Sequence, residues 1–236
     1  MRGRFAWTSM VTSVAALGLT AAAAAQTMPN TLTDAERAAG WTLLFDGTSL
    51  DGWRGYNMRG LPGSWAAEAG TLTRIGPGGD LITEAQYEDF ELAFEWRVGS
   101  GGNSGVFYRV AEGQDFAYFS APEYQVLDDA GHVDGASPVT SAGSNYALNP
   151  APRGVVRPAG EWNSGRIVVR GNHVEHWLNG TQVVAYELHS PEWKAQVAAS
   201  KFAAWPAYGM AERGHIGIQD HGDRVWYRSL KLRVLE

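Results

Sequence analysis

Phe90, Leu92, Phe94, Trp96 and Val98 alternate with Glu91, Ala93, Glu95 and Arg97, and this period of two constrains the fold more than any other feature of the chain. Successive side chains of a strand point to opposite faces, so such a segment buries one face in a core and shows the other to water. Residues 105–110 (GVFYRV), 123–127 (EYQVL) and 225–235 carry further strand patterns. Residues 167–170 lead through Gly171-Asn172 into 173–178, which Asn179-Gly180 turns into 182–188. Both dipeptides tolerate the positive φ that a two-residue hairpin turn demands. With 29 Gly and 10 Pro as punctuation and no long helical period, an antiparallel jelly-roll sandwich is expected.

The first residues predict an export signal. Arg2 and Arg4 precede a mostly apolar stretch, residues 5–19, and an Ala run ends before Gln26, so cleavage is expected after Ala25. The apolar stretch is too short and Ala-rich for a lasting membrane helix, and a periplasmic or extracellular protein follows. Cleavage removes two of 19 basic residues and none of 25 acidic ones. The remaining acidic chain lacks the basic face that nucleic acid requires. It has no Cys and hence no disulfides. A domain of about 200 residues buries roughly 70% of its unfolded surface and needs none. Residues 26–39 are expected as a polar tether and a short helix, with Thr33 and Glu36 forming a capping box and Gly40 ending the turn. Residues 40–236 then form a single β-domain without internal repeats.

The polar strand faces hold the candidate chemistry. Glu91, Glu95 and Arg97 share one side of their strand, and Glu123 and Gln125 share one side of another, about 7 Å apart. His215, Gln219 and His221 have a common parity, whereas Asp220 points the other way unless the strand breaks there. A solvated sheet face is the simpler account, yet Lys, Thr and Ser would serve that purpose better than Glu, Gln, Arg and His. The run Gly101-Gly102-Asn103-Ser104-Gly105 precedes the strand carrying Arg109. Its glycines would admit a ligand to the backbone, with Asn103 and Ser104 as short donors and acceptors, or would simply make a hairpin turn. Some of the ten Trp offer flat platforms for sugar rings. Asp128, Asp129 and His132, and likewise Asp220, His221 and Asp223, lack the spacing of a zinc or EF-hand site and read as loop acids capping turns. No G-x-S-x-G elbow supports a serine triad.

Taken together, GWTLLFDGTSLDGWRG (40–55), GGNSGVFYRV (101–110), PEYQVLDDAGH (122–132), TSAGSNYAL (140–148), GEWNSGRIVVRGNHVEHWLNG (160–180), ASKF (199–202) and GHIGIQDHGDRVWYRSLKLR (214–233) resemble the 3-keto-disaccharide hydrolase family. That family is also described as 3-keto-glycoside lyase and 3-keto-2-hydroxy-glucal hydratase. The resemblance runs from about Thr33 to Leu235. One departure is Ser229, where the related motif commonly has Asn after Arg.

The resemblance implies an all-β, concanavalin-A-like jelly-roll sandwich and a small carbohydrate substrate already oxidised at C3 by a separate sugar 3-dehydrogenase. A C3 ketone acidifies the C2 hydrogen, so a base can remove it and expel the group at C1, after which water adds to the glucal. Such a site needs a base, a donor or cation at the enolate oxygen, and an acid for the leaving oxygen. The implied roles are His221 or Glu123 as base, Lys201 or Arg109 at the enolate, and Asn103, Ser104, Gln125 and Gln219 on sugar hydroxyls. Asp220 stands with His221 among the catalytic candidates, and a divalent cation could replace the basic side chain. The rival readings are a conventional glycosidase, which needs paired carboxylates where this strand offers Glu123, Gln125 and Asp128, and a non-catalytic sugar-binding module.

Overall fold

The computed structural model describes residues 28–236 and Gly3, and the expected export signal and its cleavage position otherwise lie outside the described residues. The chain opens with the short helix α1 (Asp34–Ala38), whose capping box between Thr33 and Glu36 is complete. Thirteen strands follow: β1 (Thr42–Leu43), β2 (Trp53–Gly55), β3 (Trp65–Glu68), β4 (Thr71–Arg74), β5 (Leu81–Thr83), β6 (Phe90–Val98), β7 (Asn103–Val110) and β8 (Glu123–Leu127) precede the long central loop. After it come β9 (Asn163–Arg170), β10 (His173–Leu178), β11 (Thr181–Glu187), the helix α2 (Pro191–Ala198), β12 (His215–Ile218) and β13 (Val225–Val234). Among the described residues no helix is long and apolar enough to cross a membrane.

The strands make the expected all-β jelly-roll sandwich. One sheet has eight strands, ordered β11-β10-β9-β6-β13-β4-β3 with β1 also on β13, and the other has five, ordered β2-β5-β12-β7-β8. Every pairing is antiparallel. The two-residue turns β9–β10 and β10–β11 fall where the sequence predicts them, with Gly171, Asn179 and Gly180 at positive φ. Between the sheets lie Leu92, Phe94 and Trp96 of β6, Val106 and Tyr108 of β7, Tyr124 and Val126 of β8, Ile216 and Ile218 of β12, and Tyr227 of β13.

Alternation fixes what remains outside. On the eight-stranded sheet, Glu91 takes Arg166 and Arg233 at 2.8 Å each and Glu95 takes Arg228 at 2.9 Å. The Arg97 guanidinium lies over Trp226 at 4.5 Å and Trp162 at 4.9 Å. Glu91, Glu95 and Arg97 thus belong to a self-contained ladder of ion pairs and cation–π contacts on the sheet opposite Glu123. A groove of about 960 Å³ also crosses this face.

Residues 28–33 differ from the expected tether because a bulge in β13 holds them. Ser229 has φ +53 and the ladder to β6 slips between Arg228 and Lys231. The Ser229 N–H therefore finds Asn30 Oδ1 at 2.8 Å, and Asn30 Nδ2 donates to the Gly70 carbonyl at 2.8 Å.

Candidate active site

The outer face of the five-stranded sheet carries a second, smaller pocket of about 320 Å³, lined by Asn103, Tyr118, Glu123, Gln125, Tyr146, Lys201, Trp205, Gln219 and His221. Strand parity builds its floor. Tyr124 and Val126 face the core, so Glu123 and Gln125 face out; Ile216 and Ile218 face in, so Gln219 emerges beside them. Gly105 sits opposite Gln125 on β7, and a Cβ there would lie 2.7 Å from the Glu123 carboxyl carbon. Only a glycine leaves the carboxyl this space.

The loops supply the walls. Ser200 caps the turn Lys201–Ala204, and Phe202 is buried in the core, which leaves Lys201 and Trp205 over the sheet. Tyr118 comes from the turn Ala117–Phe119, whose Ala117 packs on Ile82 and Phe107 in a small apolar cluster of its own. Tyr146 donates to Asp134 at 3.2 Å and lies under the Lys201 ammonium, 4.4 Å from the ring centre. Sequence reasoning missed Tyr118, Tyr146 and Trp205. They sit in irregular segments where no periodicity assigns a face.

Electrostatics sets this pocket apart. Glu123 is pushed up to about 8, first by desolvation, with Lys201 opposing and Asp80 and Asp134 adding like charge. Burial likewise lowers the Lys201 ammonium, against the pull of Glu123 and Asp134. Glu123 is buried and Lys201 keeps contact with solvent, and each is held away from its ordinary value. Around them, Asn103 Oδ1, Gln125 Oε1 and Gln219 Oε1 are buried with no hydrogen-bond partner among the described residues. A buried unpartnered acceptor is costly, and three in one pocket suit a ligand rich in hydroxyl donors. His221 is half exposed at the edge, with Nε2 3.4 Å from Asn103 Nδ2.

Six of the nine residues singled out from sequence therefore meet here: Asn103, Glu123, Gln125, Lys201, Gln219 and His221. The other three do not. Arg109 should follow Asn103 and Gly105 onto the open face, but β7 bulges, pairing Phe107 with Gly217 and Val110 with His215. At φ +52 Arg109 turns away, 4% exposed, and donates to the carbonyls of Glu88 and Gly171 and to Asp89. Ser104 faces the core, donating to the Gln219 carbonyl at 2.8 Å and accepting from Tyr227 at 2.9 Å. Asp220 lies past the end of β12, ion-paired with Arg74 and accepting the N–H groups of Gly78 and Gly79. Asp80 completes that clasp by accepting the Asp220 N–H at 2.8 Å. Burial raises Asp80 to about 6. The two carboxylates thus hold the loop that presents Gln219 and His221.

Asp128, His132 and Asp220 cap their own turns by accepting the N–H groups of Ala130, Asp134 and Gly222, while Asp128 and Asp129 also tie distant segments together. Asp128 accepts from Gly101 N–H and Asp129 from Ala142 N–H. Among the described residues no group of three or more His, Cys, Asp or Glu is placed to hold a metal ion.

Comparison with known proteins identifies the family. The 3-keto-alpha-glucoside-1,2-lyase-like domain matches residues 40–233. A 3-keto-disaccharide hydrolase of Bacteroides thetaiotaomicron is 38% identical, over 84% of this chain and 80% of its own. A crystal structure from Parabacteroides distasonis, described as a candidate glycosyl hydrolase, superposes with a TM-score of 0.83 at 34% identity, over 89% of this chain and 100% of that one. The carbohydrate-binding module CBM66 of Bacillus subtilis, at 11% identity and a TM-score of 0.51, covers 77% of this chain and 95% of its own and shares the fold alone.

Proposed function

The chain belongs to the 3-keto-alpha-glucoside-1,2-lyase-like family, and from that premise we propose that it cleaves glycosides already oxidised at C3, by elimination across C1–C2 followed by hydration. One observation carries the reading: among the described residues Glu123 is the single carboxylate lining the pocket, buried, raised to about 8 and sharing the pocket with Lys201. Direct hydrolysis needs two carboxylates, about 5–5.5 Å apart in retaining enzymes and about 6.5–9.5 Å in inverting ones. Asp80 and Asp134, which act on Glu123 through space, are engaged elsewhere by Asp220 and Tyr146.

A single raised carboxyl suits proton transfer at carbon. As carboxylate, Glu123 takes the C2 proton; the C–H electron pair forms the C2=C3 bond of an enolate, whose charge on the C3 oxygen is stabilised by the Lys201 ammonium. The C3 carbonyl then re-forms and the pair moves into the C1=C2 bond. The C1–O bond breaks, and the leaving oxygen takes a proton from His221 at the mouth. Water then adds across the double bond, hydroxide at C1 and a proton at C2, so the sum is hydrolysis. Asn103, Gln125 and Gln219 accept from sugar hydroxyls. The reading takes the ketone from a separate sugar 3-dehydrogenase, the class of enzyme that oxidises a sugar at C3.

The test is an assay of 3-keto-glycosides beside their unoxidised parents in deuterium oxide, with and without a chelator. The reading expects cleavage of the keto substrate alone, with deuterium at C2 of the released sugar. Equal cleavage of the parent, or no label at C2, would overturn it. The chelator arm reports whether a divalent cation assists Lys201 at the enolate oxygen.

A further inference from the structure

Beyond the reacting groups, the pocket has two chemically different sides. Toward the sheet stand the unpartnered amide oxygens of Asn103, Gln125 and Gln219. Toward the loops stand Tyr118 and Trp205, and from them the aromatic surface continues outward. Phe119 lies flat on Trp205 at 4.2 Å and 18°, Phe116 lies on Tyr118 at 5.4 Å and 23°, and Tyr118 meets Trp205 edge-on at 5.5 Å. Phe116 ends this series and is 52% exposed. A solitary exposed Phe is ordinary, but one stacked in continuation of pocket-lining rings extends a recognition surface.

The segment that presents these rings is fixed in place. Ala117 and Ala121 are buried against Ile82, Phe107 and Val110, and Ser120 Oγ both accepts the Ala111 N–H at 3.1 Å and donates to the Ala111 carbonyl at 2.9 Å. The shelf is therefore formed before any ligand arrives, which lowers the ordering cost of binding to it.

A pocket of about 320 Å³ is at the small end for organic ligands. On the elimination reading, the sugar ring that reacts is placed in this pocket against Glu123, and the group leaving from C1 toward the mouth. We infer that Phe116, Tyr118 and Trp205 form a leaving-group subsite that takes the C–H face of a pyranose by stacking. This inference rests on the elimination reading above. Stacking on a half-exposed ring contributes on the scale of an aromatic pair, so removing Phe116 is expected to weaken ring recognition about 5–10-fold.

The experiment compares wild type with Phe116→Ala, whose exposed position spares the core. Both are assayed on a 3-keto-disaccharide and on a methyl 3-keto-glycoside, whose leaving group has no ring. The ratio of kcat/KM for the disaccharide to that for the methyl glycoside should fall about 5–10-fold, with Phe116→Tyr restoring most of it. An unchanged ratio overturns the subsite. A wild type that cleaves neither keto substrate overturns the reaction instead. Calorimetric titration with the unoxidised disaccharide and its methyl monosaccharide then decides the subsite alone. Weaker disaccharide binding by Phe116→Ala, with monosaccharide binding less affected, upholds it, and an equal effect on both overturns it.

Discussion

The carboxyl of Glu123 lies directly over Gly105 on the neighbouring strand, in space that any side chain at that position would occupy. The catalytic candidate and the glycine beneath it form one unit, because the strand pairing that brings them together also buries the carboxyl and raises it.

Gly105→Ala should therefore act on the reaction more than on the fold. The added methyl pushes Glu123 aside, and a displacement on the order of 1 Å costs roughly 10²-fold in rate. The expected result is that loss in kcat/KM with an unchanged far-ultraviolet spectrum. Near-wild-type activity would show that the carboxyl does not need its observed position.

Glu123→Gln should lower kcat by roughly 10²–10⁴-fold if this group moves the proton. In wild type, kcat/KM should rise with pH and level off above about 8, as the carboxylate form appears. Stability should run the other way. The folded value, about 8, exceeds the ordinary 4.5, so stability is intact below 4.5 and declines as pH climbs through 8. The total decline is roughly 3–5 kcal/mol. Glu123→Gln should lack it, which urea unfolding at pH 5 and pH 8.5 would reveal.

Asp80→Asn keeps an oxygen to accept the Asp220 N–H and removes one of the charges that raise Glu123. The rising limb of the kcat/KM profile should move a few tenths of a pH unit toward acid. A limb that stays put would mean that Asp80 acts on the loop and not on the carboxyl.

Lys201 and Arg109 looked equivalent in sequence and should now separate. Lys201→Met is expected to lower kcat about 10–100-fold with little effect on stability, since it removes charge from the enolate side. Arg109→Met leaves the Glu88 and Gly171 carbonyls without their donor and should cost about 2–3 kcal/mol of stability while activity per folded molecule changes less than twofold. Thermal unfolding beside steady-state kinetics distinguishes the two.

That pair also shows where the sequence was informative. Glu123, Gln125 and Gln219 were legible because unbroken alternation assigns each a face once Tyr124, Val126, Ile216 and Ile218 are taken as core. The turn at Asn179-Gly180 was legible because its two residues are the ones that accept positive φ. Arg109 was not, because an extra residue in β7 changes the face of everything beyond it, and no local pattern announces the bulge. Asp220 was misplaced for a related reason. Its partners Arg74, Gly78, Gly79 and Asp80 lie some 140 residues away in the chain, and only the pairing of β12 with β5 brings them near. Tyr118, Tyr146 and Trp205 depend on loop paths that tertiary contacts set.

The ladder of Glu91, Glu95, Arg97 and their partners has an evolutionary consequence. It settles the charges of the eight-stranded sheet without reference to the opposite face, so the determinants of folding and of substrate choice lie on different surfaces of one sandwich. Apart from Lys201 and the buried Ala117, Ser120, Ala121, Phe202 and Tyr208, residues 111–121 and 199–210 can drift, and with them the glycosides accepted, while the sheet behind continues to specify the same fold. Diversity among relatives should collect in those two segments, and a library confined to them would retain folded members at a far higher rate than one spread across the strands.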